Sequence, residues 1–324
     1  MSAQQTYTVL SGGVGGAKLV LGLQEVLRNE QLDVIANTGD DFRHLGLTIC
    51  PDIDTLLYTL SGNANPETGW GRRDERWVFM ETLEQLGGET WFRLGDRDLA
   101  THITRQALLD SGLTLSEVTR QLATALRVDT RIHPMSDDPL RTRVVTADGE
   151  LEFQDYFVRQ RAEPVATGIH FAGADGAAMA PGAAAALTSA DNAAIIISPS
   201  NPWLSIAPIL AVPGLQSTLL NSSAPTIAVS PVVAGKAIKG PTAKLMRELG
   251  VRDGVLGIAE HYAGIIDALI IDRQDAEYEE AIKALGLRVG ITDTVMKDLS
   301  DKTALAQFVI EFAATVAGRA RGAA

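Results

Sequence analysis

The stretch Thr6-Tyr-Thr-Val-Leu10, running into Ser11-Gly-Gly-Val-Gly-Gly-Ala-Lys18, decides the fold. The first five residues read as a short β-strand, and the glycines form a turn at its carboxyl end. Ala17 to Arg28 follows with Leu19, Leu23, Val26 and Leu27 on one helical face. Asp33 to Ala36 reads as a second strand. Strand, glycine turn, helix and strand make a βαβ unit, whose default is parallel pairing with a right-handed crossover.

The rest of the chain extends this pattern. Asp54 to about Leu126 is mostly helical, with helices predicted at Asp54–Leu60, Arg73–Leu86, Asp98–Ser111 and Leu115–Leu126. Thr114 and Glu117 form a capping box for the last of these. Arg131 to Phe171 turns strand-like, with a hairpin at Arg143–Ala147, Asp148-Gly149 and Glu150–Phe153. Apolar, β-branched strand runs return at Ala193–Ser198, Thr226–Ser230, Asp267–Asp272 and Leu287–Ile291. Helices are expected at Pro181–Ser189, Gly214–Ser222, Pro241–Leu249 and Lys302–Ala317. The expected fold is α/β: a Rossmann-like, mostly parallel sheet with helices on both faces. It forms one domain over residues 1–324, with a helical insertion at about 55–127 and a β-rich excursion at about 131–171.

Composition sets the boundaries of function. Lys plus Arg is 28 against 40 for Asp plus Glu, a net charge of −12. A surface that neutralises many nucleic-acid phosphates is basic, so DNA and RNA are poor partners. A single nucleotide is not excluded, because a helix N-terminus and a cation can hold a diphosphate. The one cysteine, Cys50, cannot form an internal disulfide. The N-terminus lacks a signal-peptide pattern and the apolar runs are too short to span a bilayer, so a cytoplasmic protein without a membrane partner is expected.

Chemistry-bearing residues cluster near the glycine turn. Gly12, Gly13, Gly15 and Gly16 let backbone approach a phosphate, or simply pack a tight turn. The spacing to Lys18 is not that of a P-loop. Asn37-Thr-Gly-Asp-Asp41 ends the second strand, where open α/β sheets bind ligands. Pro51-Asp-Ile-Asp-Thr55 follows. Four carboxylates so close together repel unless a cation or solvent intervenes, and oxygen ligands of this kind suit Mg²⁺. One of Asp52 and Asp54 can instead N-cap the helix starting near Thr55. Ser198-Pro-Ser-Asn-Pro202 lies at another strand end. Ser230-Pro-Val-Val-Ala-Gly235-Lys236, continuing to Lys239-Gly240, offers hydroxyl and cation. Arg72-Arg73, Arg141 and Arg143 could clamp an acidic group.

Taken together, Leu10 to Leu19, Asn37 to Asp41, Gly46-Leu47, Pro51 to Thr55 and Pro134-Met-Ser-Asp-Asp-Pro139 resemble the 2-phospho-L-lactate transferase family of coenzyme F-420 biosynthesis. Ser198 to Pro202, Val229-Ser-Pro231 and Lys239-Gly240-Pro241 also match, and the resemblance runs to about residue 300. It implies a donor in which a small phospho-acid is linked to GMP through a diphosphate. The implied acceptor is the deazaflavin Fo, whose ribityl hydroxyl attacks the phosphorus bearing the acid, releasing GMP. Mg²⁺ and a homodimer are expected.

On this reading Gly12 to Gly16 and Ser198 to Asn201 hold the guanylyl diphosphate. Asp40, Asp52 and Asp54 are the metal ligands, and Asp40 or Asp41 orients or deprotonates the hydroxyl. The wider substrate-binding set is Gly12, Gly13, Gly15, Gly16, Lys18, Asn37, Thr38, His44, Thr55, Ser198, Ser200, Asn201, Ser230 and Lys239. The insertion, from about Asn63 to Leu94 with Trp70, Trp77, Phe79 and Trp91, is expected to close over the deazaflavin. Which phospho-acid the donor carries stays open among lactate, enolpyruvate and glycerate forms. The rival is the related gluconeogenesis-factor family of nucleotide-sugar-binding regulatory proteins. There the Asp pair is followed directly by glycines and serines. Here Phe42-Arg-His-Leu-Gly46 and then Pro51-Asp-Ile-Asp54 follow, which favours the transferase. A dinucleotide oxidoreductase lacks its fingerprint.

Overall fold

A computed structural model describes residues 5–27, 31–237 and 242–316. The chain opens with strand β1 (Thr6–Ser11), helix α1 (Gly13–Val26), strand β2 (Leu32–Ala36) and, further on, helix α2 (Pro51–Leu60). Seven parallel strands form the main sheet, in the order 288–292, 268–272, 226–229, 192–197, β1, β2 and 131–134. The fold is α/β and Rossmann-like, as expected.

Alternation along the strands builds two cores, one on each face of the sheet. Val9, Val34, Ile196, Ile227 and Ile270 pack with Leu19 and Leu23 of α1, Leu56 of α2 and Val309 of the helix Leu299–Thr315. Their neighbours Leu10, Ile35, Ile195, Ile197 and Leu269 face the other way, against Ile206, Leu219, Ile258 and Ile282. Fully apolar strand runs follow from this double burial.

Four differences from the sequence reading matter. First, α1 begins at Gly13, so the glycines are its first turn rather than a loop before it. Second, Arg131–Pro134 is not part of the β-rich excursion. It pairs in parallel with β2 as the edge of the main sheet. The excursion proper is a three-stranded antiparallel sheet of Arg141–Thr146, Gly149–Glu152 and Gly168–Ala172. Its hairpin turns at Ala147-Asp148, because Thr146 pairs with Gly149. Third, Phe42–His44 and Leu47–Ile49 form a small hairpin that the short, mixed run concealed. Fourth, the helices of the insertion are Val78–Gln85, Asp96–Asp110 and Leu115–Ala125, and the Thr114–Glu117 capping box is present. The C-terminal end of the predicted 302–317 helix, and the lysine-glycine turn with Lys239, lie outside the described residues.

The crossing of α1 and the helix Leu299–Thr315 depends on Gly22. A Cβ there would press into the Lys302 carbonyl, with the Ala306 methyl 3.2 Å away. Gly22→Ala should therefore destabilise the protein by about 1–3 kcal/mol through overpacking, against a helix-propensity gain of at most ~1 kcal/mol. Urea denaturation checks this. A more stable variant would show that the helices separate freely.

Candidate active site at the sheet switch point

The chain moves from β1 towards β2 on one side, and strand 192–197 lies on the other. Ligand crevices in open α/β sheets form at such a switch point, outside the carboxyl ends of the strands. Here the glycine turn and the serine loop meet. The Gly12 N–H donates to Ser200 Oγ at 3.1 Å, Ser200 Oγ donates to the Gly12 carbonyl at 2.6 Å, and Ser198 Oγ donates to the Leu10 carbonyl at 2.9 Å. A Cβ on Gly15 would lie 2.5 Å from the Pro199 carbonyl, and one on Gly16 2.7 Å from the Ser198 and Ser200 hydroxyls. These glycines are thus required by packing. Gly13 differs: its φ is +66°, and nothing lies within 4 Å of where a Cβ would project. Val14 and Gly15 are in the first turn of α1 and line the cleft, so their N–H groups have no carbonyl a turn earlier in the helix.

Asp52 joins the pieces. Because α2 starts at Pro51, Asp52 and Asp54 both fall in its first turn, and neither is the N-cap, a place taken by Cys50. Asp52 Oδ1 accepts from the Gly13 N–H at 2.7 Å, and Oδ2 accepts from Asn37 Nδ2 at 2.9 Å. Asn37 Oδ1 in turn accepts from the Gly39 N–H at 2.8 Å. Burial raises the Asp52 pKa, and these donors oppose the rise.

Asp40 is less well supported. It is buried, and its Oδ1 has no hydrogen-bond partner. Burial, then the neighbouring Asp52 charge, pushes its pKa well above the usual carboxylate range. Asp41 is also buried, and burial lifts its pKa to about 7 despite Arg141 beside it.

Asp54 corrects the expected metal set. Arg105 grips both of its oxygens, Nη1 donating to Oδ2 at 3.1 Å and Nη2 to Oδ1, within a buried ion pair. Such a carboxylate is already neutralised. His102 Nδ1 lies 3.7 Å from Asp54, and its Nε2 lies 3.2 Å from Asp98 Oδ1, which also accepts from Tyr58 Oη at 2.6 Å. Asp54, Tyr58, Asp98 and His102 all line the cleft. The sequence reading missed this network, although Asp98, His102 and Arg105 recur at four and three residues, the spacing of one helix face.

The cleft is about 640 Å³. Its polar lining includes Gly12, Gly13, Lys18, Asp40, Asp52, Thr55 and Ser200, and its aromatic lining is Trp70, Trp91, Phe92, Phe153 and Phe157. Trp77 and Phe79 do not line it, but pack in the same cluster as Trp91 and Phe92. Lys18 reaches the Met296 carbonyl at 2.8 Å, and Thr55 Oγ1 bonds the Pro51 carbonyl at 2.8 Å. Asn201 lines the cleft, but its side chain caps the turn at Trp203 and Leu204, at 3.0 Å each. Gly16, Asn37, Thr38, Asp41, His44, Ser198 and Ser230 do not line it. His44 is buried against Trp91, ring centroids 5.2 Å apart, and Ser230 Oγ is bonded to Val232 within its own turn.

Among the described residues, no group of three or more His, Cys, Asp and Glu side chains is arranged to hold a metal ion. Two carboxylates lining the cleft, Asp40 and Asp52, do lie close enough to repel each other. That donor set fits Mg²⁺, which keeps several waters and takes further oxygens from a substrate phosphate.

The family model for "2-phospho-L-lactate transferase CofD" matches residues 7–307. A phosphoenolpyruvate transferase of Streptomyces griseus is 41% identical over 314 residues, spanning 95% of this chain and 98% of its own. A 2-phospho-L-lactate transferase of Methanosarcina acetivorans is 38% identical over 308 residues, spanning 95% and 99%. A crystal structure of a UPF0052-family protein from Bacillus halodurans superposes with a TM-score of 0.63 at 16% identity, covering 95% and 99% of the two chains, a likeness of fold.

The buried carboxylates predict a pH signature. A carboxyl whose folded pKa is raised contributes stability in full below its ordinary pKa of about 4, and loses it as pH rises through the folded value. The ligand-free protein should therefore lose melting temperature between about pH 4 and about pH 7, the range that the Asp41 shift spans. Asp40→Asn and Asp41→Asn should each melt several degrees higher than the parent at about pH 8 and gain little at about pH 4.5. Scanning fluorimetry across pH checks this, and variants that melt lower at alkaline pH would contradict it.

Proposed function

The chain belongs to the 2-phospho-L-lactate transferase family, and from that premise we propose the reaction its cleft carries out. The protein is a phospho-acid transferase. Its donor on our reading is a guanosine-diphosphate-linked phospho-acid, 2-phospholactyl or phosphoenolpyruvyl, and its acceptor is the deazaflavin Fo. The ribityl hydroxyl forms the new O–P bond at the phosphorus carrying the acid, the bond to GMP breaks, and GMP leaves. The carrying observation is that one cleft is lined both by the glycine turn at the switch point and by aromatic side chains, Trp70, Trp91 and Phe92 of the insertion and Phe153 and Phe157 of the excursion.

The first-turn amides of Val14 and Gly15, aided by the positive end of α1, receive the diphosphate. Gly13 allows it to approach, since no side chain projects there. Asp40 and Asp52 would hold Mg²⁺, which when bound offsets the diphosphate charge. Asp40 Oδ1, buried without a partner, is the acceptor available to orient the incoming hydroxyl. Asp41 faces away from this cleft, so the orienting role falls to Asp40. Ser198 and Asn201 shape the donor side through backbone geometry, their side chains being engaged within the protein. The tricycle of Fo lies against Trp70, Trp91 and Phe153, and the network of Tyr58, Asp98 and His102 lines the same cleft.

Mixing the protein with Fo, Mg²⁺ and each guanylyl donor should yield GMP and a new acidic deazaflavin. No transfer and no GDP binding, alongside clear binding of a UDP-sugar, would favour a regulatory protein of the gluconeogenesis-factor type instead. Trp70 is 54% exposed, so removing it spares the core. Trp70→Ala should weaken Fo binding about 10-fold by deazaflavin fluorescence, within the range for loss of one aromatic contact, and leave GDP affinity nearly unchanged. Equal loss of both ligands would contradict the separate placing of donor and acceptor.

A further inference from the structure

A second, smaller cavity of about 260 Å³ lies behind the Asp40–Asp41 loop. It shares Asp40, Phe153 and Gln154 with the main cleft, so the two spaces adjoin at these residues. Its floor comes from the excursion sheet, at Arg141, Thr142 and Arg143. Two features mark it as more than a packing gap. Thr142 lines the cavity and is 2% exposed, and its Oγ1 has no hydrogen-bond partner. A buried hydroxyl left unpaired is unfavourable, a loss that a ligand accepting from it would remove. Arg141 Nη1 is fixed by the Thr38 carbonyl at 3.2 Å and the Leu140 carbonyl at 2.9 Å. Among the described residues nothing is hydrogen-bonded to its Nε or Nη2. Its charge offsets the adjacent Asp41, and the other cations here are hydrogen-bonded: Arg143 to Glu152 at 3.1 Å, and Arg43 to Gln106 at 2.9 Å and Thr48 at 3.0 Å.

Resting on the transfer reading above, we propose that this cavity receives the carboxylate of the phospho-acid being transferred, with Arg141 and the Thr142 hydroxyl as its donors. A phosphorus held at Asp40 in the main cleft places its acid substituent at the mouth of the smaller cavity. The nucleotide occupies the glycine side and the acceptor the aromatic side. The size suits a fragment of a few heavy atoms. A guanidinium anchored through one nitrogen presents its remaining N–H groups in a fixed plane, which matches a carboxylate. Asp41 and Glu152 also line the space and would repel any anion not held by Arg141, so recognition depends on that residue.

The experiment uses the full chain and two guanosine-diphosphate esters, one bearing the lactyl carboxylate and one in which a neutral carboxamide replaces it. Affinity is read by calorimetry and transfer to Fo by product formation. The parent protein should prefer the acid donor about 10- to 100-fold, the worth of one charge-assisted contact. Arg141→Ala should erase that preference through loss on the acid donor alone, with GDP affinity unchanged. Thr142→Val, which keeps the shape and leaves the arginine in place, should reduce the preference by a smaller factor. Equal affinity of the parent for both donors, or equal loss on both in Arg141→Ala, would overturn the assignment. A carboxylate preference in affinity without any transfer would keep the cavity and sink the transferase reading. Transfer without the preference would do the reverse.

Discussion

One buried carboxylate, that of Asp52, holds this site together. Its two oxygens take the Gly13 N–H and the Asn37 amide, so it ties the start of α1, the end of β2 and the start of α2 at one point. Each of those elements is placed independently by the core: α1 and α2 through Leu19, Leu23 and Leu56, β2 through Val34 and Ile35. The carboxylate converts that placement into a local geometry. Gly12 and Gly39, which a side chain would push against Asp52 and Thr142 respectively, permit the approach. Losing either hydrogen bond would leave a buried polar group unpaired, at about 1–3 kcal/mol.

Around this anchor the protein stores unfavourable charge. Asp40, beside Asp52, and Asp41, beside Asp54, are buried with incomplete hydrogen bonding, and burial raises the pKa of each. Core packing on both faces of the sheet carries the cost of that burial. Asp54 shows the alternative solution on the same helix turn, where Arg105 neutralises it completely. Asp40 and Asp54 therefore show opposite states of a buried carboxylate, one without a partner at Oδ1 and one held at both oxygens by Arg105. This contrast between a pre-organised, under-satisfied group and its supported neighbour is the usual mark of a site that expects a ligand.

The sheet was legible because its signals are local. Apolar runs such as Ala194 to Ile197 and the glycine turn after Leu10 report strand and junction without long-range information. The position of the cleft followed from the same pattern, since strand ends and glycines coincide at the switch point. The insertion's share was not legible. Asp98, His102 and Arg105 reach the site only because their helix folds back over α2, a contact that spans some fifty residues. Nor could sequence show which hydroxyls turn inward. Ser198 and Ser200 look like ligand groups until their bonds to Leu10 and Gly12 are seen. His44 was misplaced for the same reason, its short hairpin burying it among aromatic rings.

The central claim is that the sheet holds the nucleotide and the insertion holds the acceptor. Hydrogen–deuterium exchange with each ligand alone tests it most directly. GDP should protect residues 12–16 and 198–205 and leave the insertion unchanged. Fo should protect the segments around Trp70 and Trp91 and leave the glycine turn unchanged. Protection of the same segments by both ligands would contradict the account.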